Sequence, residues 1–97
     1  MFAVVNHLHL KVPVEQIREA TAQEGLPILK DLPGFQGLTL VKAADDRMIV
    51  ILHWDSPANA ESGAKTFGPT WFAKNIAPYL ASEQQRSAGE VMLHYQT

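Results

Sequence analysis

Alternation of apolar and polar residues is strongest near the start of the chain. Residues 2–12 are rich in aliphatic and β-branched side chains, and within them Asn6 and Leu8 fall on one face while His7 and His9 fall on the other. Because successive side chains of a strand point to opposite faces, this alternation predicts a strand with two chemically different surfaces.

Three later segments also have strand character, and turn signals separate them. Pro33 and Gly34 precede one of these segments, and the polar residues 44–47 precede the most apolar one. Short Asp-rich segments of this kind favour tight turns, because their side chains bond to their own backbone. The predicted strands cover residues 35–41, 48–54 and 89–96, and the polar residues 82–88 are expected to form only a connection.

A first helix is expected after the first strand. Pro13 is a residue type favoured at the first helical position, and Val14 and Ile17 begin an apolar stripe at helical spacing. Gly25 and Pro27 interrupt that pattern, since proline removes a backbone donor. We therefore expect a helix with a break or kink near these two residues.

A second helix is expected after the third strand. Ser56 followed by Pro57 is a helix-start signal, and Gly68 and Pro69 interrupt the helix. The piece that follows carries two adjoining stripes at i, i+4, i+8 spacing, which predicts a face packed against the sheet. The stripes are Trp71, Asn75 and Tyr79, and Phe72, Ile76 and Leu80.

The predicted element order is βαββαβ, in a single domain covering residues 1–97. Right-handed crossovers then give an antiparallel sheet in the strand order 4-1-3-2, which is the α+β ferredoxin-like plait. Two helices cover one face of such a sheet. The other face carries Val5, Ile49, Ile51 and Met92 and is too apolar for water, so we expect a second copy of the chain to cover it in a homodimer.

Composition narrows the functional classes. The chain has no cysteine, which excludes disulfides, thiolate metal sites and cysteine nucleophiles. Eight basic residues against ten acidic ones give a net charge of −2 without a basic stripe, so nucleic acid is not an expected partner. No apolar run approaches the roughly 20 residues of a membrane span and no signal peptide is evident, so we expect no membrane association and a cytoplasmic location.

Four segments of the chain resemble the antibiotic biosynthesis monooxygenase family. They are the sequence VVNHLHL around Asn6, LPGFQG at 32–37, ILHWDS at 51–56 and TFGPTWF at 66–72. Together they extend the resemblance over nearly the whole chain. Members of this family are dimeric α/β barrels built from two ferredoxin-like plaits, so the resemblance implies that architecture for this chain as well.

The resemblance also implies an activity. Family members oxidise small aromatic substrates, often phenols or quinols, with molecular oxygen and without a metal or flavin, so no cofactor is expected. Asn6 and Trp54 match positions that line the family's pocket, which implies catalytic roles for both. By strand parity and helix spacing, the residues expected to bind the substrate beside them are Leu8, Val50, Leu52, Trp71, Phe72, Ile76 and Tyr79.

Three departures from the family pattern keep other functions open. The quinol-oxidising branch has an asparagine where this chain has Val50, which favours a second hypothesis, a non-enzymatic ligand-binding or stress-response barrel. The haem-degrading branch keeps an asparagine like Asn6 but has a tryptophan and an axial histidine near the positions of Gly63 and Asn75. Haem binding or degradation is therefore the third hypothesis, and it is the weakest of the three.

The four histidines form a separate pattern. His7 and His9 lie opposite Asn6, His53 lies opposite Trp54, and His94 is expected to join them on the uncovered face of the sheet. Such a group could bind a divalent metal or make an interface sensitive to pH, or it could simply hydrogen-bond within an interface. The spacing fixes no metal geometry, so no metal ligand is assigned.

Overall fold

A computed structural model describes all 97 residues and has the predicted element order. Four antiparallel strands form one sheet in the order β2-β3-β1-β4, which confirms the predicted order 4-1-3-2 and the ferredoxin-like α+β fold. Their bounds are β1 Phe2–His9, β2 Phe35–Ala44, β3 Arg47–Trp54 and β4 Gln85–Glu90.

Both helical segments change their winding midway. The first runs as α1 Val14–Ala20, a π-helical turn Thr21–Gly25 and α2 Leu26–Lys30. The second runs as α3 Pro57–Phe67, a π-helical turn Gly68–Phe72, α4 Ala73–Asn75 and a 3₁₀ turn Ala77–Tyr79. The Ser56 side chain caps α3 by accepting a hydrogen bond from the Asn59 backbone N–H at 3.1 Å.

Three local predictions were wrong. The fourth strand lies at Gln85–Glu90, inside the segment expected to be a connection, and most of residues 89–96 lie beyond it. The first helix does not break at Gly25, because a π turn carries the chain through and Pro27 falls in the first turn of α2, where its missing N–H is tolerated. Pro13 has extended backbone angles and caps α1 instead of starting it.

The core lies between the sheet and the helices, as strand parity predicted. It has two clusters, each built around one buried tryptophan. The larger comprises Leu8, Leu10, Val14, Ile17, Met48, Trp71 and Ile76, and the smaller comprises Val4, Leu29, Trp54 and Ala60.

Each tryptophan rests against a glycine of a helical segment. A Cβ added to Gly63 of α3 would overlap the Trp54 ring, with two ring carbons only 2.8 Å away. A Cβ added to Gly25 would meet the Trp71 ring at 3.0 Å. The two glycines therefore set how closely each helical segment approaches an indole ring.

The opposite face of the sheet has no covering layer within the chain. Val5, Ile49 and Ile51 are only partly buried there. Met92, expected on the same face, is 91% exposed and belongs to the segment after β4. No helix is both long and apolar enough to cross a membrane.

Candidate functional site

A cavity of about 220 Å³ lies between the helix-covered face of the sheet and the two helical segments. Engineered apolar cavities of about 150 Å³ already admit benzene, whereas pockets for drug-sized ligands usually exceed about 300 Å³. The cavity is thus suited to an aromatic molecule of one or two rings. It touches both core clusters, since Val4, Leu29 and Trp54 line it on one side and Trp71 and Ile76 on the other.

Three buried polar atoms on the cavity wall have no hydrogen-bond partner. They are Asn6 Oδ1, Trp71 Nε1 and Gln84 Oε1. Leaving a buried donor or acceptor unpaired costs about 1–3 kcal/mol, so most buried polar atoms in folded proteins are paired. These three are therefore available to a bound molecule, as one donor and two acceptors.

Asn6 is placed at the cavity by its position in the central strand β1. It pairs with Val50 of β3 on one side and with Arg86 of β4 on the other. Directly opposed residues of antiparallel strands carry their side chains on the same face. Asn6, Val50 and Arg86 therefore form one row across the floor of the cavity.

Trp71 enters the cavity from the π turn Gly68–Phe72. Its side chain is 5% exposed and stacks on Phe67, with the ring centroids 5.3 Å apart. Single π turns inside α-helices occur often at functional sites. Both π turns contribute here, since Thr21 of the first and Gly68, Trp71 and Phe72 of the second line the cavity.

Trp54 closes the other end of the cavity. It is the last residue of β3 and 2% exposed, and it makes an edge-to-face contact with Phe35 at a centroid distance of 5.5 Å. Its indole ring lies over Gly63, at the position where the haem-degrading branch was expected to carry a tryptophan. An indole from the strand therefore occupies the space beside Gly63.

Arg86 is the only charged residue on the cavity wall, and it is exposed to solvent at the cavity's rim. It takes part in no ion pair. The two groups with a shifted pKa lie elsewhere. A 2.7 Å hydrogen bond from Lys42 lowers the pKa of Glu15, and the same bond raises the pKa of Lys42.

Most of the residues expected at the site line the cavity, and two do not. Leu8 is packed inside the larger core cluster, 2% exposed. Tyr79 is 37% exposed, because the 3₁₀ turn at Ala77–Tyr79 ends the α-helical spacing that would have turned it inward. Both lie outside the cavity, whose walls include Asn6, Val50, Leu52, Trp54, Trp71, Phe72 and Ile76.

Gln84 and Arg86 are the polar wall residues that sequence reasoning missed. Both were assigned to a connection, because residues 84–90 are polar or small at nearly every position and show no alternation. The sequence signal that could have placed them is weak: an arginine in a polar stretch that must pair with β1 to complete the sheet.

The histidines do not assemble into a metal site. His53 and His94 make an edge-to-face contact at 5.9 Å, and His9 lies 3.2 Å from Asp46. His7 is exposed. No cluster of three or more His, Cys, Asp or Glu side chains suited to a metal is present.

The cavity wall does not fit a haem. Haem iron is held axially by His, Cys, Met or Tyr, and none of these residue types lines the cavity. Asn75, near the position of the axial histidine in the haem-degrading branch, donates its side-chain amide to the Trp71 backbone carbonyl at 2.9 Å. This chain therefore offers no axial ligand from its own cavity.

No family model and no curated protein matches the chain. Solved structures do match over nearly its full length. A variant of SnoaB, a cofactor-independent oxygenase from Streptomyces nogalater, is 14% identical with a TM-score of 0.79, covering 96% of this chain and 94% of that chain. The ActVA-Orf6 monooxygenase of Streptomyces coelicolor, in complex with nanaomycin D, is 16% identical with a TM-score of 0.77, covering 99% and 91%.

A third similar structure belongs to a haem-binding protein. MhuD with two manganese protoporphyrin IX molecules per active site is 21% identical with a TM-score of 0.75, and the match covers 100% of both chains. At these identities the likeness shows a shared fold. The fold is thus that of solved monooxygenases, including ones named for antibiotic biosynthesis, as the sequence resemblance implied.

Proposed function

We propose that this chain is a member of the antibiotic biosynthesis monooxygenase family and a cofactor-independent monooxygenase that oxidises a small phenol or quinol with molecular oxygen. The observation that carries the proposal is the group of three unpartnered polar atoms around an otherwise apolar cavity of aromatic size. A wall built only for packing would bury hydrocarbon there, because unpaired polar atoms weaken the fold.

The cavity supplies the physical requirements of that reaction. Apolar walls exclude water from an electron-rich ring, and Trp54 and Phe72 confine the ring's position. The Asn6 amide accepts a hydrogen bond from a phenolic hydroxyl, and the Trp71 N–H donates to an oxygen that gains negative charge. In this proposal Asn6 and Trp54 are the catalytic residues, since both contact the substrate.

The balanced reaction needs only substrate and oxygen. A phenol with a free ring C–H reacts with O₂ to give a quinone and water, so one oxygen atom enters the ring and the other leaves as water. The ring C–H and the O–H bonds are broken, and the substrate supplies all four electrons that reduce O₂. The enzyme's part is to orient the ring, stabilise its anion and exclude water.

We also propose that the working unit is a homodimer. Val5, Ile49 and Ile51 form an apolar face that the chain itself leaves uncovered, and a 97-residue domain gains stability by burying such a face. A second copy packed sheet to sheet is the arrangement that supports this proposal, and it leaves the cavity on the other face of the sheet free.

A ligand-binding barrel without turnover is the second candidate function. One observation favours it: no Asp, Glu, His, Lys or Tyr lines the cavity, so the wall lacks a general base to deprotonate a phenol. The same cavity and the same polar atoms would then hold an aromatic ligand that is released unchanged.

The test combines binding and oxygen uptake. Purified protein is titrated with 1-naphthol while tryptophan fluorescence is recorded, and oxygen consumption and quinone absorbance are then followed with the same compound. Binding with oxygen uptake that disappears in Asn6→Leu supports the oxygenase. Binding without uptake across phenols and quinols of one or two rings supports the non-enzymatic barrel, and absence of binding contradicts both.

A further inference from the structure

We propose that Arg86 and Gln84 make β4 an acid-recognition edge of the cavity, so that the ligand is an aromatic anion, a one- or two-ring phenol that carries a carboxylate. This inference rests on the proposed site for a small aromatic molecule and names its chemical class. It does not depend on turnover, because an acid can be recognised with or without oxidation.

The sheet register places Arg86 at the site. Arg86 is directly opposite Asn6, so the two side chains share the helix-covered face, with Cβ atoms about 5 Å apart. Gln84 lies two residues before Arg86 and on the same face. The guanidinium therefore lies beside two amide side chains whose oxygens are buried and unpaired.

Charge at the site favours an anion. None of the ten acidic residues lines the cavity, and Arg86 forms no ion pair with any of them. The nearest acid of β4 on the same face is Glu90, four residues further along and about 13 Å away in an extended strand. An arginine without a partner at the rim of an apolar cavity favours a carboxylate, which its planar fork binds in a bidentate manner.

The unpaired atoms extend the description of the ligand. Asn6 Oδ1 and Gln84 Oε1 are acceptors, so each can take a hydrogen bond from a hydroxyl group and neither can pair with a carboxylate oxygen. A ring that bears a hydroxyl next to a carboxylate would satisfy Arg86 and one amide oxygen together. Hydroxynaphthoates and hydroxybenzoates have this arrangement.

Matched probes and variants test the inference. The probes are 1-hydroxy-2-naphthoate and 1-naphthol, which differ only in the carboxylate. The variants are Arg86→Ala, Arg86→Lys and, as a control, Arg47→Ala, which removes an exposed arginine that does not line this cavity. Dissociation constants are measured by tryptophan quenching at two salt concentrations, and thermal unfolding checks that each variant is folded.

We expect the wild-type protein to bind the acid roughly ten- to hundredfold more tightly than 1-naphthol, the range for hydrogen bonds to charged groups. Arg86→Ala should abolish this preference while changing 1-naphthol affinity less than threefold, and Arg86→Lys should retain part of it. Arg47→Ala should behave as wild type. Higher salt should weaken only the acid.

Three results would overturn the inference. Equal wild-type affinity for both probes, or no binding of the acid at millimolar concentration, would mean that Arg86 only protects the exposed edge of β4. An equal loss in Arg47→Ala would reduce the effect to net charge. Arg86-dependent binding without oxygen uptake would leave the inference intact and reject the oxygenase, whereas oxygen uptake with no preference for the acid would do the reverse.

Discussion

The two faces of the sheet differ in what the chain leaves unfinished. The helix-covered face is well buried, with Val4, Leu8 and Met48 each below 5% exposed, yet it encloses a cavity with unpaired polar atoms. The opposite face has apolar side chains, including Val5 and Ile51, but no layer above them.

This difference separates two kinds of incompleteness. A cavity with unpaired donors and acceptors lacks a partner for a few specific atoms, and a small molecule can supply that partner. An uncovered apolar face lacks area, which a second sheet supplies over many residues. The cavity therefore accounts for the proposed ligand, and the open face accounts for the proposed homodimer.

The largest expected effect comes from charging the open face. Ile51→Lys would place an ammonium group in the proposed interface, where an unpaired buried charge costs about 3–5 kcal/mol. We expect dissociation to monomers, measured by sedimentation velocity. Ala58→Lys on the exposed side of α3 adds the same charge elsewhere and should leave the dimer intact. A wild-type protein that sediments as a monomer would contradict the homodimer.

The next effect is steric and lies on the helix-covered face. Gly63→Ala would drive a methyl group into the Trp54 ring, and overpacking of this kind costs about 1–3 kcal/mol. Urea unfolding should give that loss. The control Gly89→Ala adds a methyl group in open space and should change stability by less than about 0.5 kcal/mol.

A second variant identifies the cause of that loss. Trp54→Phe removes part of the indole ring that the new methyl group meets, so Gly63→Ala should be less destabilising in the Trp54→Phe background than in the wild type. Additive effects of the two changes would mean that Trp54 does not set the position of α3.

How far the sequence predicts the structure differs between strands. β1 and β3 lie in the middle of the sheet and alternate buried with less buried residues, so their hydrophobic pattern identified them. All six residues of β4 are exposed, and the strand is held by backbone pairing with β1 at the sheet edge. Edge pairing leaves no hydrophobic pattern, so β4 was misplaced and its cavity residues Gln84 and Arg86 were missed.

Replacing the unpaired amide should strengthen the fold while weakening the site. Asn6→Leu keeps the approximate shape of the side chain and removes the buried acceptor, so we expect a gain of about 1–2 kcal/mol in unfolding free energy together with loss of 1-naphthol binding. Asn75→Leu is the contrast, because Asn75 is already hydrogen-bonded and its loss should not stabilise the fold. Loss of stability in Asn6→Leu would indicate a structural role.

The smallest expected effect lies at the rim of the helix-covered face, where Lys42 of β2 donates a hydrogen bond to Glu15 of α1 at 2.7 Å. That bond is the main cause lowering the pKa of Glu15 below its ordinary value of 4.5. A carboxyl whose pKa is lower in the folded state contributes stability above its unfolded pKa, and this contribution is lost as the pH falls through the folded value.

Glu15→Gln should therefore lower the melting temperature slightly at pH 7, and the difference from wild type should vanish in strong acid, where the wild-type carboxyl is also protonated. Both side chains are exposed, so salt should shrink the difference as well. Glu24→Gln, in the same helical segment and without an ion pair, should show no pH-dependent difference. A Glu15→Gln difference that persists in acid would point to lost packing instead of the ion pair, and the rim would then be closed by contact alone.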